Sequence, residues 1–391
     1  MIKTQIGQRV VFEYGYAVRV KDEPKGKYPV YGSNGITGYI DSYKVKGPGV
    51  IVGRKGSVGS VVYSENNFTP IDTSYFLKIL DLNKDDLRFW SYFLQTIDLK
   101  KLNTHSAVPG LSRELVYLLE VNIPSKDAQG KISYLLSKID KKIELNNQIN
   151  AELESMAKTL YDYWFVQFDF PNENGKPYKS SGGKMVYNSV LKREIPYGWN
   201  DSQIGKIENK IITGKTPPKG NSDYFSGDVP FITIGDIRGN TFIVNTEETL
   251  SREGADFQKS KYLPEDTICV TCIATPGLVG LTTTLSQTNQ QINSIICSKE
   301  HHKYFLYFAL KSYFNANSKV KIGNTFANIN KRDFSEIKII YPSESLLINF
   351  HKKVSSIFEK IKSNTKESRK ISELRDFLLP MLMNGQVTIK E

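Results

Sequence analysis

Hydrophobic positions recur with helical spacing in two long stretches of the chain, and with short strand-like spacing elsewhere. From Pro124 to about Trp164, the residues Leu136, Ile139, Ile143, Asn146, Asn150, Leu153, Ala157, Leu160 and Trp164 step by three and four. That is a heptad seam on one face of a long helix, and such a stripe needs a partner. The pattern returns from Pro342 to about Leu382 at a constant offset of 218 positions. Ile132 then coincides with Phe350, Leu136 with Val354, Ile139 with Ile357, Ile143 with Ile361, Leu153 with Ile371, Met156 with Leu374 and Leu160 with Leu378, without a gap. Each stretch predicts a helix roughly 60 Å long, at about 1.5 Å per residue. Polar residues interrupt both seams at matching places, Asn146 and Asn150 in the first and Asn364 and Ser368 in the second. A buried polar residue costs stability but fixes register, because it must meet another polar group. The expectation is an antiparallel pair whose polar layers face each other.

Between these helices the pattern shortens. Residues 1–122 read as a mixed domain rich in short strands. Turn-prone Gly32-Ser33-Asn34-Gly35 lies in it, and Gly49 to Gly53 is a buried strand leading through Arg54-Lys55-Gly56-Ser57-Val58-Gly59 into a second strand at Ser60 to Tyr63. A helix is predicted over Asp85 to Lys101, with Leu87, Trp90, Phe93, Leu94 and Ile97 on its buried side. The long helix follows over 123–170, and 171–198 has turn and linker composition, with Pro171 to Pro177 and Ser180-Ser181-Gly182-Gly183. A second domain spans 199–341 and the second long helix 342–391. Gln203-Ile204-Gly205 echoes Gln5-Ile6-Gly7, and Gly277-Leu278-Val279-Gly280 echoes Gly56-Ser57-Val58-Gly59. Asn328 to Lys331 falls opposite Gly110 to Arg113, so the second domain carries about twenty extra residues. The fold class is therefore α+β: two globular domains separated by two long helices that form an antiparallel coiled coil, with a pseudo-two-fold internal repeat.

A chain of 391 residues can bury two or three cores. Its net charge of +11 and pI near 9.2 point to an anionic partner, nucleic acid before membrane. Twenty-two tyrosines and twenty phenylalanines argue against disorder. With no apolar leader in the first ten residues and no long apolar run, a cytoplasmic location is expected. Three cysteines fit a reducing compartment.

No reaction centre emerges. Gly214-Lys215-Thr216 is similar to the end of a phosphate loop, but Asn209 stands where that motif needs its first glycine, and Pro217-Pro218 follow where a helix should begin. Cys269 and Cys272, with Cys297 and His301, have nominal zinc-ligand spacing; buried small hydrophobes are the better reading, and no metal is expected. His105, His301, His302 and His351 have no nucleophile in a recognisable turn beside them.

The run Glu152 to Phe165, followed by Phe168-Asp169-Phe170-Pro171, resembles the central region of type I restriction-modification specificity subunits. Gly214 to Pro217, with Pro230-Phe231-Ile232 and Gly235-Asp236-Ile237, is similar to that family's target recognition domains, and Leu374 to Gly385 to its C-terminal helix. The resemblance covers essentially the whole chain. It implies a non-catalytic subunit in which each domain reads one half of a split, asymmetric site on double-stranded DNA. The helices would set the gap and dock two methyltransferase subunits, and two motor-nuclease subunits would join where restriction accompanies methylation. S-adenosylmethionine, ATP and Mg2+ would belong to those partners, with no cofactor on this chain.

For DNA contact the candidates are Ser33, Asn34, Arg54, Lys55 and Ser57 in the first domain and Lys215, Thr216 and Lys219 in the second. They sit on loops and offer donors to phosphate or guanine. Each lysine reads equally as a solvated surface charge, and Ser33 and Asn34 as plain turn residues. The alternative function is a coiled-coil adaptor that binds protein partners without reading DNA.

Overall fold

The computed structural model describes residues 1–18, 26–102, 110–320 and 328–389. The chain divides into two compact units, residues 1–143 with 371–391 and residues 144–370. The first long helix runs Lys126–Tyr161 and ends in a π-helical turn, Asp162–Val166; the second runs Glu344–Met383. Each unit contains part of both helices, because the apolar stripe is buried in a domain core at either end. Ile132 and Leu136, with Leu382 and Met383, join the core of the first unit. Ala157 and Tyr161, with Phe350, Val354 and Phe358, join that of the second.

In the first unit, a four-stranded antiparallel sheet has the order Val10–Tyr14, Ser74–Ile79, Gly49–Gly53, Val61–Ser64. A three-stranded sheet has the order Gly35–Ile40, Tyr28–Gly32, Thr69–Pro70, the last pair parallel. The predicted helix is shorter than expected, Leu87–Gln95, starting where Asp86 accepts a hydrogen bond from the Phe89 amide at 2.7 Å. It buries Phe89, Trp90, Phe93 and Leu94 against Val50, Val52 and Leu77.

The second unit repeats this topology. Its larger sheet has the order Ile211–Thr213, Ile292–Ile295, Ile268–Thr271, Val279–Thr282, with Phe242–Ile243 added at the edge. Its smaller sheet has the order Glu248–Leu250, Phe225–Ile232, Gln287–Thr288, again with the last pair parallel. The extra residues of this domain include the added edge strand. Helix Lys303–Val320 buries Tyr304, Phe305, Leu306, Tyr307 and Phe308 at the centre of the core. Tyr304 stacks on Phe358 of the long helix with ring centroids 4.0 Å apart.

Matching clasps close both domains. Ile2–Gln5 pairs with Glu120–Ile123, and Asn200–Gln203 pairs with Lys338–Tyr341. The echoed glutamine–isoleucine–glycine runs follow the first strand of each clasp: the Ile6 amide donates to the Leu119 carbonyl at 3.1 Å and the Ile204 amide to the Ile337 carbonyl at 2.9 Å. Residues 171–198, linker-like by composition, contain a hairpin, Met185–Asn188 with Arg193–Pro196. Phe170 stacks on both Tyr178 and Trp199, at 4.7 and 5.0 Å, and this aromatic column holds the segment onto the domain.

Candidate nucleic-acid interface

In the first unit the turn after Gly53 is held from within. The Gly59 amide donates to the Gly53 carbonyl at 2.8 Å, and Gly56 and Gly59 adopt φ of +74° and +77°. A Cβ at Gly59 would also stand 2.8 Å from the Leu99 Cβ, so only glycine suits that place. The turn meets the hairpin bend at Ser33 and Asn34: the Ser57 hydroxyl donates to Asn34 Oδ1 at 3.3 Å, and the Ser60 hydroxyl donates to the Ser33 carbonyl. Thus Ser33, Asn34, Arg54, Lys55 and Ser57 are brought to one place. The Arg54 and Lys55 amides both donate to the Thr73 carbonyl, at 2.9 and 3.0 Å, while the two side chains have different surroundings. Lys55 is exposed. Arg54 is half-buried, donates to the Asp72 carbonyl at 3.0 Å and lies over the Tyr14 ring at 4.9 Å.

Arg113 lies over the same Tyr14 ring at 4.7 Å, and Tyr14 remains 46 % exposed. Two guanidinium groups on one accessible aromatic ring make a cationic, stacking-capable surface. Beneath it, burial and the neighbouring Tyr14 push the Tyr75 hydroxyl up to about 12. That hydroxyl stays protonated and donates to the Leu111 carbonyl at 3.2 Å. Neither Tyr14 nor Arg113 was a candidate from sequence. Tyr14 ends a strand and Arg113 opens a helix far along the chain, and only the fold brings them to Arg54.

In the second unit Lys215 and Thr216 leave the first strand of the larger sheet. Gly214 is pressed onto the neighbouring loop, where a Cβ would stand 2.2 Å from the Asn289 carbonyl oxygen. The Lys215 amide donates to the Thr288 carbonyl at 3.0 Å, and the Thr216 hydroxyl to Gln290 Oε1 at 2.7 Å. The Lys215 amide is thus committed to Thr288 of the smaller sheet. Lys215 is exposed, with its ammonium 5.7 Å from the Phe257 ring. Lys219 stands apart: it pairs with Glu248 at 3.3 Å, beside a cavity of about 330 Å³.

Both candidate sets touch the same loop of the repeated fold. At the helix offset Asp72 corresponds to Gln290, so Arg54 and Thr216 bond to equivalent residues. The Arg54 amide bonds the Thr73 carbonyl as the Cys272 amide bonds the Gln291 carbonyl, at 2.9 and 2.8 Å. Cys272 therefore occupies the place of Arg54. It is buried, and its sulfur accepts from Asn293 Nδ2 at 3.2 Å. Cys269 is also buried and accepts from the Ser294 hydroxyl, so these cysteines act as packed small side chains. His105 lies outside the described residues.

The sequence model of the family described as "Type I restriction modification DNA specificity domain" matches residues 11–155 and 196–375. The chain belongs to that family. Each matched stretch of this family member holds one globular domain and most of the long helix behind it, and the unmatched residues between them hold the π-helical turn and the hairpin. It is similar to the HindI type I specificity subunit of Haemophilus influenzae, at 37 % identity over 330 residues, covering 71 % of this chain and 71 % of that protein. The MjaIX type I specificity subunit of Methanocaldococcus jannaschii is 27 % identical over 298 residues, covering 75 % of this chain and 66 % of that protein. The fold is that of the type I restriction-modification S subunit of M. genitalium, with a TM-score of 0.62 at 18 % identity, covering 98 % of this chain and 96 % of that one. Among the described residues of this specificity-family chain, no helix is long and apolar enough to cross a membrane.

Proposed function

We propose that this chain is the non-catalytic DNA-reading subunit of a type I restriction-modification complex. Each domain reads one half of a bipartite, asymmetric target on double-stranded DNA, and the paired helices set the gap. Adenine-N6 methylation with S-adenosylmethionine, and ATP- and Mg2+-dependent cleavage, reside in partner subunits. The observation that carries this reading is the convergence of both basic loop clusters on the same loop of a repeated domain. Phosphate contacts from Lys55 and Lys215 would supply affinity, and base-edge contacts beside them would supply sequence choice. The helices also carry a repeated apolar feature suited to two copies of one partner: Met156 is 60 % exposed, and its repeat equivalent Leu374 is 50 % exposed. Two methyltransferase subunits are the proposed occupants. Co-expression with the methyltransferase, followed by genome-wide mapping of N6-methyladenine, tests the proposal. A split, asymmetric motif is the expected result. An unmethylated genome, together with DNA binding by the complex that does not weaken with added salt, would favour an adaptor that binds only protein.

A further inference from the structure

His301 and His302 lie beside Glu344, the first residue of the second long helix. His301 Nε2 is 2.5 Å from Glu344 Oε2, and His302 Nε2 is 3.6 Å from Glu344 Oε1. One ligand-capable atom from each of His301, His302 and Glu344 lies within 4.8 Å of the others, and among the described residues this is the one such group. His302 and Glu208 are almost wholly buried, with side chains 2 % and 0 % exposed and His302 Nδ1 2.8 Å from Glu208 Oε1. A carboxylate only accepts, so Nδ1–H donates to Glu208 and the ring turns Nε2 toward Glu344 and Tyr341. The Tyr341 hydroxyl, 2.9 Å from that Nε2, has a single proton and donates it to Glu344 Oε1 at 2.6 Å. The inward nitrogen of His302 thus faces the oxygens of Tyr341 and Glu344. Glu208 is itself anchored by the Ser298 amide at 2.8 Å. A buried carboxylate that fixes an imidazole through its outer nitrogen is the usual support for a metal-ligating histidine.

We propose that His301, His302 and Glu344 bind one divalent transition-metal ion of the zinc class, with Glu208 as the residue that positions His302. Two imidazoles and a carboxylate provide three ligands, and water completes a tetrahedron. Imidazole nitrogen disfavours Mg2+ and Ca2+, which take oxygen ligands. The Lys299 ammonium lies 2.6 Å from Glu344 Oε1; it is half-exposed and can turn to solvent as the ion enters. Glu344 opens the long helix, the histidines precede helix Lys303–Val320, and Glu208 leads into the first strand of the larger sheet. The ion would therefore fasten the second domain to its helix, a role independent of which DNA bases are read.

The test uses the untagged full-length chain in complex with its methyltransferase, stripped by chelator and titrated with Zn2+ by calorimetry and with Co2+ by absorption, against the methyltransferase alone. The expected result is one ion per chain, with weak tetrahedral cobalt bands and no near-ultraviolet sulfur-to-cobalt band. His301→Ala, at a half-buried side chain, and Glu344→Gln, which still accepts from Tyr341, should each abolish stoichiometric binding while circular dichroism stays unchanged. Glu208→Gln should weaken binding about 10–100-fold. A sulfur-to-cobalt band would place the ion on cysteine and overturn the assignment. So would binding that survives both His301→Ala and Glu344→Gln, or no Zn2+ uptake beyond that of the methyltransferase.

Discussion

The Asn146 amide donates to the Ser368 hydroxyl at 3.1 Å, across the seam between the two long helices. Asn364 donates to Asn150 Oδ1 at 3.0 Å. Asn364 is the repeat equivalent of Asn146, and Ser368 that of Asn150, so the second contact is the image of the first under the internal two-fold relation. Two polar layers so related favour this antiparallel register, since in it each amide meets a polar partner across the seam.

That register makes helix length a proposed determinant of target spacing. Inserting one heptad, about 10 Å of helix, into both helices near Asn147 and Thr365 should lengthen the gap in the methylated motif and leave both half-sites intact. Methylome mapping of the variant decides, and an unchanged gap would defeat the ruler reading. Insertion into one helix alone should lower thermal stability, because the polar layers no longer meet.

The duplicated strand order predicts modular reading. Exchanging residues 196–341 for the matching domain of another family member should change one half of the methylated motif only. The exchanged segment holds both strands of the second clasp, so it carries its own closure. A change in both halves would show that the domains do not read separately.

Within the first domain's turn, affinity and choice should separate. Lys55→Ala, at an exposed side chain, should weaken binding to all sequences alike and reduce the salt slope by about one. Arg54→Ala should relax choice at one base pair by about 1–3 kcal/mol. Binding of the methyltransferase complex to single-base target variants at several salt concentrations measures both. Equal effects across the panel would mean that the turn holds phosphate only. Unfolding of Arg54→Ala would mean that its bond to the Asp72 carbonyl and its packing on Tyr14 serve the fold.

The seam, the polar layers and the two glycine turns were legible because each is a local pattern of a few residues. Strand order was not, since identical pairing in both domains depends on contacts between distant segments. The cationic surface at Tyr14 needed Arg54 and Arg113 to meet, and the histidine cluster needed His301 to meet Glu344, 43 positions later. Composition misled at 171–198, where glycines and serines suggest a loose connection but Phe170, Tyr178 and Trp199 pack it down. Heptad position alone did not separate Met156 and Leu374, both exposed, from their buried neighbours.

Acid should loosen the second unit through Asp266. Burial alone would raise its pKa, but hydrogen bonds from Lys303 at 2.8 Å and Lys362 at 2.9 Å outweigh that and hold it below the usual aspartate value. A depressed folded-state pKa contributes stability that is present above the unfolded value, near 3.9, and is lost as pH falls through the folded one. The melting-temperature difference between wild type and Lys362→Met should be largest at neutral pH and shrink below about pH 4. A difference constant with pH would show that the lysine acts by packing alone.

Leu382 and Met383 lie in the same core as Phe12, Val50 and Trp90. A ribosome delivers those partners hundreds of residues apart, so the first domain emerges early yet waits for nearly the last turn of helix before its interior is complete. The nascent chain must keep half of its seam and the floor of that domain open while the second domain is made. Protection of the first domain from proteolysis should therefore arrive late in synthesis, after the domain that follows it in the gene.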